Sequence, residues 1–272
     1  MVIKMENQSR SDIDILKVVR LVREAGKLVM DRNMEIRQKG NSSNYVTSRD
    51  IAVEQYLTKE LKTLLPKSLV IGEESEDNPS EGELLWVIDP IDGTSNFIRD
   101  IGVSAISVGL VQSGEPCLGV VYQPYRDELY YAKKGEGAYR NGEPIHVSDR
   151  DFAHSHLCSA MSLYDKRYAP PCFRIIERVY QESDDLRRLG SAAAELVYLA
   201  CGRVELYFEI RLCPWDVAGA IPIIQEAGGY VEMLYQDSFP LDRPFPVIAA
   251  NTAENLQRLR EIVTEELPQM PY

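Results

Sequence analysis

Histidine and cysteine are scarce in this 272-residue chain, with three of the first and five of the second. The cysteines (Cys117, Cys158, Cys172, Cys201, Cys213) are odd in number and make no C-x-x-C pair, which argues against a disulfide framework or a zinc ribbon and fits a reducing cytoplasm. No uncharged apolar run approaches the roughly 20 residues that span a bilayer, and the opening residues lack a signal-peptide core, so a cytoplasmic, membrane-free protein is expected. Positive charge is in deficit: 30 Lys plus Arg against 42 Asp plus Glu leave a net charge of −12. A field of that sign repels nucleic acid polymers and anionic lipid, and any anionic substrate needs a local cation. Repeats and low-complexity linkers are also missing.

What remains has globular proportions, 44% apolar and 26% charged. A chain of this length buries roughly 70–75% of its unfolded surface and needs no structural metal to hold a core. Apolar spacing from Ser11 to Met34 predicts a first helix capped by Ser11 or Asp12, and a second pattern from Ser48 or Asp50 ends at Pro66. Short runs then read as strands: Leu69 to Ile71, Leu84 to Ile88, Val103 to Val111, Cys117 to Gln123 and Glu128 to Ala132, the last two as an antiparallel pair. Asn141-Gly142 marks a tight turn. From Asp151 helix and strand alternate, with strands at Ser155 to Ala160, Asp185 to Leu189 and Val204 to Glu209 and helices at Cys172 to Glu182, Ser191 to Ala200, Asp216 to Ala227 and Glu254 to Glu265. The expected organisation is an N-terminal part, 1–150, of helices and mainly antiparallel sheet, and an α/β part, 151–272, with a cleft between them.

The densest chemistry is Trp86-Val-Ile-Asp89-Pro90-Ile91-Asp92-Gly93-Thr94-Ser95-Asn96-Phe97. A buried strand delivers two aspartates around a proline-locked turn, followed by flexible backbone N–H groups of a kind that receive phosphate. Hard oxygen ligands suit magnesium together with phosphate oxygens. A lone D-x-x-D is also an ordinary turn cap. Glu73 and Glu74 at the end of one strand, and Asp216 at the start of a helix, change that balance. Each pair of carboxylates at 4 Å repels by about 4 kcal/mol at an effective dielectric of 20, so a convergent cluster makes sense around divalent cations.

These segments resemble the inositol monophosphatase family over nearly the whole chain. The matching blocks are Val46 to Asp50, Gly72 to Ser75, Trp86 to Phe97, Gly190 to Ala193, Tyr207 to Glu209, and Trp215-Asp-Val-Ala-Gly219 running to Gly229. The resemblance implies an α/β, five-layer αβαβα sandwich of the inositol monophosphatase and fructose-1,6-bisphosphatase type, a homodimer, and dependence on two or three Mg2+ ions, with Mn2+ as a substitute. It assigns Glu73, Asp89 and the Ile91 carbonyl to a first metal and Asp89, Asp92 and Asp216 to a second, with a third resting mainly on Glu73. Catalytic roles fall to Glu73, Thr94 and Asp50, which orient the water that attacks phosphorus. Phosphate would meet Gly93 and Thr94, while Gly190, Ser191, Ala192, Glu209 and Asp216 would bind the organic part.

The implied activity is hydrolysis of a small phosphorylated polyol or sugar, inositol monophosphate first. A fructose-1,6-bisphosphatase-like or 3′-nucleotide (adenosine bisphosphate) phosphatase, a non-catalytic metal-binding interaction protein, and a metal-free paired-carboxylate glycosidase are the competing readings. His154-Ser-His156-Leu-Cys158 also raises zinc, without an evident fourth ligand, and Lys39 is either a phosphate-steering or a solvated lysine. Pro222 should kink the helix that Asp216 begins. The loop Ser159 to Tyr164 matches no substrate.

Overall fold

A computed structural model describes residues 13–39, 44–161, 165–267 and 269. Helix α1 (Ile15–Val29) is capped by Asp14, whose carboxylate accepts from Leu16 N at 3.0 Å. Ser11 and Asp12, expected in that role, lie outside the described residues, as do the last three residues of the Ser159 to Tyr164 loop. The buried stripe Val18, Val22, Ala25, Val29 follows helical spacing. A hairpin, β1 (Ile36–Gln38) and β2 (Tyr45–Thr47), leads into α2 (Ser48–Leu64), whose start is a capping box between Thr47 and Asp50.

Seven strands then form one sheet in chain order: β3 (Leu69–Gly72), β4 (Leu84–Asp92), β5 (Ala105–Gln112), β6 (Glu115–Gln123), β7 (Glu128–Lys133), β8 (Ala138–Arg140) and β9 (Glu143–Pro144). Only β3 and β4 run parallel. The short helix α3 (Thr94–Ile98) sits between β4 and β5. At the β8–β9 turn Asn141 and Gly142 both take positive φ, 51° and 91°, as a tight hairpin requires.

The rest comprises β10 (His156–Ala160), α4 (Ala169–Glu182), β11 (Asp185–Arg187), α5 (Ala192–Ala200), β12 (Leu206–Leu212), α6 (Pro214–Val217), α7 (Ala220–Glu226), β13 (Tyr230–Met233), β14 (Phe245–Ala250) and α8 (Ala253–Glu266). Its five-stranded sheet has the order β11-β10-β12-β14-β13, in which β10, β11 and β12 are parallel and β14 is antiparallel to both its neighbours. Three buried clusters separate five layers. Along β4, Trp86 and Ile88 face α1 and α2, while Leu85 and Val87 face α5 and α7, the alternation of a strand covered on both sides. The outer face of the second sheet packs on α4 and α8. The αβαβα sandwich is therefore the observed architecture.

Two expectations need correcting. Strands β13 and β14 were not legible in the sequence, and the single helix expected over Asp216 to Ala227 is two helices, α6 and α7. Pro222 has no N–H for the carbonyl four residues back, Ala218, and the break falls there rather than at the proline. The broken segment lies hard against the first sheet. A Cβ on Gly109 would stand 2.5 Å from the Ala218 carbonyl carbon, and one on Gly119, its partner on β6, would stand 1.9 Å from the Gly219 carbonyl oxygen.

Candidate active site

Strand β4 ends in a bulge against β5 between Asp89 and Asp92, which turns both side chains out of regular alternation. Asp89 Oδ1 accepts from Ile91 N at 3.0 Å. Gly93 follows at φ 87°, where a Cβ would lie 3.0 Å from the Gly190 carbonyl oxygen, so the turn admits glycine best. Asp92 reaches across to the start of α5: Ser191 Oγ and Ala193 N both donate to its Oδ2, each at 2.6 Å. Asp216, in the first turn of α6, accepts from Cys213 N at 2.6 Å.

These three anchorings bring one oxygen each of Asp89, Asp92 and Asp216 to within 4.8 Å of one another, the one such group among the described residues. Asp89 is 1% exposed and Asp92 8%. Burial, and then the neighbouring carboxylates Glu73, Asp92 and Asp216, push Asp89 well above the ordinary aspartate range, and burial also lifts Asp92 and Asp216. Three oxygen ligands that repel one another in a buried pocket fit a hard divalent cation.

Glu73 lies outside that group of three. Lys39 Nζ stands 3.8 Å from its Oε1 and is paired with Glu74, so Lys39 is held by these two carboxylates rather than left to solvent. Burial raises Glu73 well above the usual range, against the pull of Lys39. The Ile91 carbonyl accepts from Thr94 Oγ1 at 3.0 Å, and the same hydroxyl lies 3.3 Å from Asp50 Oδ1. Asp50, fully buried, is fixed from behind by Thr47 N at 2.8 Å and by the Thr47 hydroxyl.

The facing wall comes from the second sheet and α5. Glu195 accepts from Leu189 N and Gly190 N, and Asn96 Nδ2 donates to the carbonyls of Leu189 at 2.7 Å and Val103 at 2.9 Å, which ties the Gly190 turn to α3. Glu209 accepts from Tyr207 OH at 2.8 Å, and burial lifts its carboxyl to about 8 and that of Glu195 to about 7. Every residue expected to bind metal, phosphate or substrate lines this one cleft; of the catalytic three only Asp50 does not, and it reaches the cleft through Thr94. Sequence reasoning missed Tyr45, Arg188, Glu195 and Arg211 on its walls. None of the four left a signal in the sequence; the bulge between Glu209 and Leu212 breaks the alternation that would otherwise tie Arg211 to the face of Glu209. The zinc reading fails among the described residues: His154 Nδ1 pairs with Asp151 at 2.7 Å, and no ligand group forms around Cys158.

The sequence profile of the inositol monophosphatase family matches residues 12–267. The chain belongs to the inositol monophosphatase family. The Nus factor SuhB of Escherichia coli K12 is 38% identical over 220 residues, 78% of this chain and 82% of that protein. A protein of Aquifex aeolicus named fructose-1,6-bisphosphatase/inositol-1-monophosphatase is 34% identical over 88% of this chain and 91% of its own. The crystal structure of the staphylococcal SaIMPase-II with inositol monophosphate bound superposes with a TM-score of 0.74 at 32% identity, covering 92% of this chain and 93% of that one. Membership removes the glycosidase reading and supports a metal-dependent phosphatase.

Proposed function

We propose that this protein is a magnesium-dependent phosphatase of a small phosphorylated polyol or sugar, with inositol monophosphate as the first substrate to test. The observation that carries the reading is the meeting of Asp89, Asp92 and Asp216 in one cleft with the Gly93–Thr94 turn on one wall and Glu209 on the other. Divalent cations held by the three aspartates, with Glu73 and the Ile91 carbonyl at the flank, supply charge neutralisation for phosphate and activation of water. Thr94, backed by Asp50, together with Glu73, orients the attacking water. The N–H groups of Gly93 and Thr94 receive phosphate oxygens. Across the cleft Gly190, Ser191, Ala192 and Glu209 take the hydroxyl-bearing part, with the Glu209 carboxyl as a hydrogen-bond partner of its hydroxyls.

A cytoplasmic homodimer belongs to the same proposal. The SuhB relatives favour a second reading, a non-catalytic metal-binding interaction protein, since "Nus factor" is not the name of a reaction. Phosphate release from inositol, sugar and nucleotide phosphates, each with Mg2+, with Mn2+ and with chelator, tests both. Metal-dependent release with inositol monophosphate preferred is the expected result. No release from any ester at millimolar metal sinks the enzyme reading and leaves the interaction role.

A further inference from the structure

Glu73 is carried by the end of β3, and little else in the sheet holds that end. Strand β3 has four residues and lies at the edge of the seven-stranded sheet, paired on one side only, with β4. Gly72 stands opposite Ile88 in that ladder, so the next residues, Glu73 and Asp89, emerge side by side from adjacent strands, one spacing of about 4.8 Å apart. The last bond between the two strands runs from Glu73 N to the Ile88 carbonyl, at 3.2 Å. Carboxylates set side by side repel. Strand β4 is paired on both sides, so the edge strand is the one to yield, carrying Glu73 outward unless something else ties it.

Asn78 is that tie. Because Glu73 turns its N–H toward β4, Gly72 turns both its backbone groups to the open edge, where a further strand would take them. The Asn78 carboxamide takes them instead: Gly72 N donates to its Oδ1 at 2.9 Å, and its Nδ2 donates to the Gly72 carbonyl at 2.8 Å. One side chain thus reproduces both bonds of a missing neighbour. Pro79 follows and keeps the Asn78 backbone extended. From the helix side Glu54, buried in α2, accepts from Glu74 N at 2.9 Å and from Ser75 Oγ at 2.7 Å. A Cβ on Gly72 would stand 2.4 Å from the Glu54 carboxyl carbon, so glycine is what lets the strand end sit on α2. Asp77, beside Asn78, is exposed and makes no side-chain hydrogen bond or ion pair among the described residues.

We propose that Asn78 is a positioning residue for the cation site: by standing in for the absent neighbour of β3 it holds Glu73 beside Asp89 before a cation arrives, and so sets the Mg2+ affinity of the cleft. This rests on the reading in which Glu73 flanks the cation held by the aspartates. Untying Gly72 loses two hydrogen bonds but relieves the repulsion between Glu73 and Asp89, so the metal-free protein changes little. The loss falls on binding, where the cation has to draw Glu73 back.

The test titrates Mg2+ against melting temperature in wild type, Asn78→Ala, Asn78→Asp and, as a control on the same segment, Asp77→Ala; this readout needs no turnover. Asn78→Asp keeps the acceptor for Gly72 N but sets an oxygen against the Gly72 carbonyl, so it should behave as the alanine variant does. Both should need about fivefold to tenfold more Mg2+ than wild type for the same shift, the scale of two neutral hydrogen bonds. Their melting temperatures in chelator should stay within about 3 °C of wild type. Turnover of inositol 1-phosphate should show the same displaced Mg2+ dependence, with kcat and KM back within about twofold of wild type once Mg2+ saturates. A Mg2+ requirement raised less than about threefold, or raised equally in Asp77→Ala, overturns the proposal. A drop of more than about 3 °C in chelator also overturns it, because Asn78 is then a structural tie. If no protein, wild type included, releases phosphate while the Mg2+ requirements separate as stated, the phosphatase reading fails and the positioning role stands. If wild type shows no shift at about 10 mM Mg2+, the cation site and the proposal fall together.

Discussion

Replacing Asp89 with asparagine should move stability in opposite directions with and without metal. Oxygens of Asp89, Asp92 and Asp216 lie within 4.8 Å of one another, and at that separation each ionised pair repels by about 3.5 kcal/mol at an effective dielectric of 20. The substitution removes two of the three pairs, a gross relief of about 7 kcal/mol. Most of that never appears, because burial and repulsion already hold these carboxyls above their usual range and part of the charge is taken up as protons. A net gain of about 1–2 kcal/mol is the expectation at pH 7, or about 2–4 °C for a chain of this size. The carboxamide oxygen of the introduced asparagine keeps an acceptor for Ile91 N, so the turn itself loses nothing.

Metal reverses the order. Wild type at a hundredfold excess of Mg2+ over its Kd gains about 2.7 kcal/mol, near 5 °C, by linkage to the folded state. Asp89→Asn should show no such rise. Differential scanning fluorimetry or calorimetry of both proteins, with chelator and across a Mg2+ and Mn2+ titration, reads all four states. An unshifted wild type at about 10 mM of either ion, or a variant that keeps the full shift, refutes the cluster as a cation site. A metal-free variant less stable than wild type by more than about 1 kcal/mol would instead make Asp89 a structural cap.

Further consequences follow from the same geometry. Gly119→Ala puts a methyl 1.9 Å from the Gly219 carbonyl oxygen, and should cost about 2–3 kcal/mol as a lower urea midpoint at unchanged m-value. Glu128 is held at about 2 by Arg203, whose two terminal nitrogens donate to it at 2.6 and 2.7 Å. Its folded value lies below its unfolded one, so the pair's contribution is full above about pH 4.5 and disappears as pH falls toward 2. Glu128→Gln should therefore lose about 1–2 kcal/mol at pH 7, allowing for solvent screening, and show a flatter urea midpoint between about pH 4.5 and 2. Asn96→Ala frees the Leu189 and Val103 carbonyls; KM for a phosphate ester should rise more than kcat falls, and an unchanged KM would show that the Gly190 turn does not need this tie.

Local chemistry made much of this legible in the sequence. The Asp89–Thr94 turn announces itself because proline, glycine and two acids at fixed offsets have few other uses, and α2 because Ser48, Asp50 and Pro66 mark its ends, although the cap itself is Thr47. Strand β14 stayed hidden because Pro246 sits inside it, and proline argues against a central strand. The structure resolves that conflict: Pro246 lies opposite the bulge between Glu209 and Leu212 on β12, and pairing with β13 begins only at Val247, so the missing N–H is not needed. The α6–α7 break was anticipated as a kink but set at the proline, when a proline's hydrogen-bond deficit is felt one turn earlier. Arg188 and Arg211 were invisible for a different reason, since only the β11-β10-β12 register places them on one cleft.

The cluster of three aspartates depends on residues with no chemistry of their own. Asp89 and Asp92 share a strand end, but Asp216 arrives from another layer and comes close only because the backbone at Ala218 and Gly219 can lie on the sheet. That approach requires paired glycines, Gly109 on β5 and Gly119 on β6, opposite each other in the ladder. Pro222 serves it as well, because a continuous helix would keep the 218–219 carbonyls in its own hydrogen bonds. Asp92 in turn is fixed by the start of α5, whose approach needs Gly93 bare against the Gly190 carbonyl. A motif finds the ligands; what holds them within 4.8 Å is a set of absent side chains and one absent N–H.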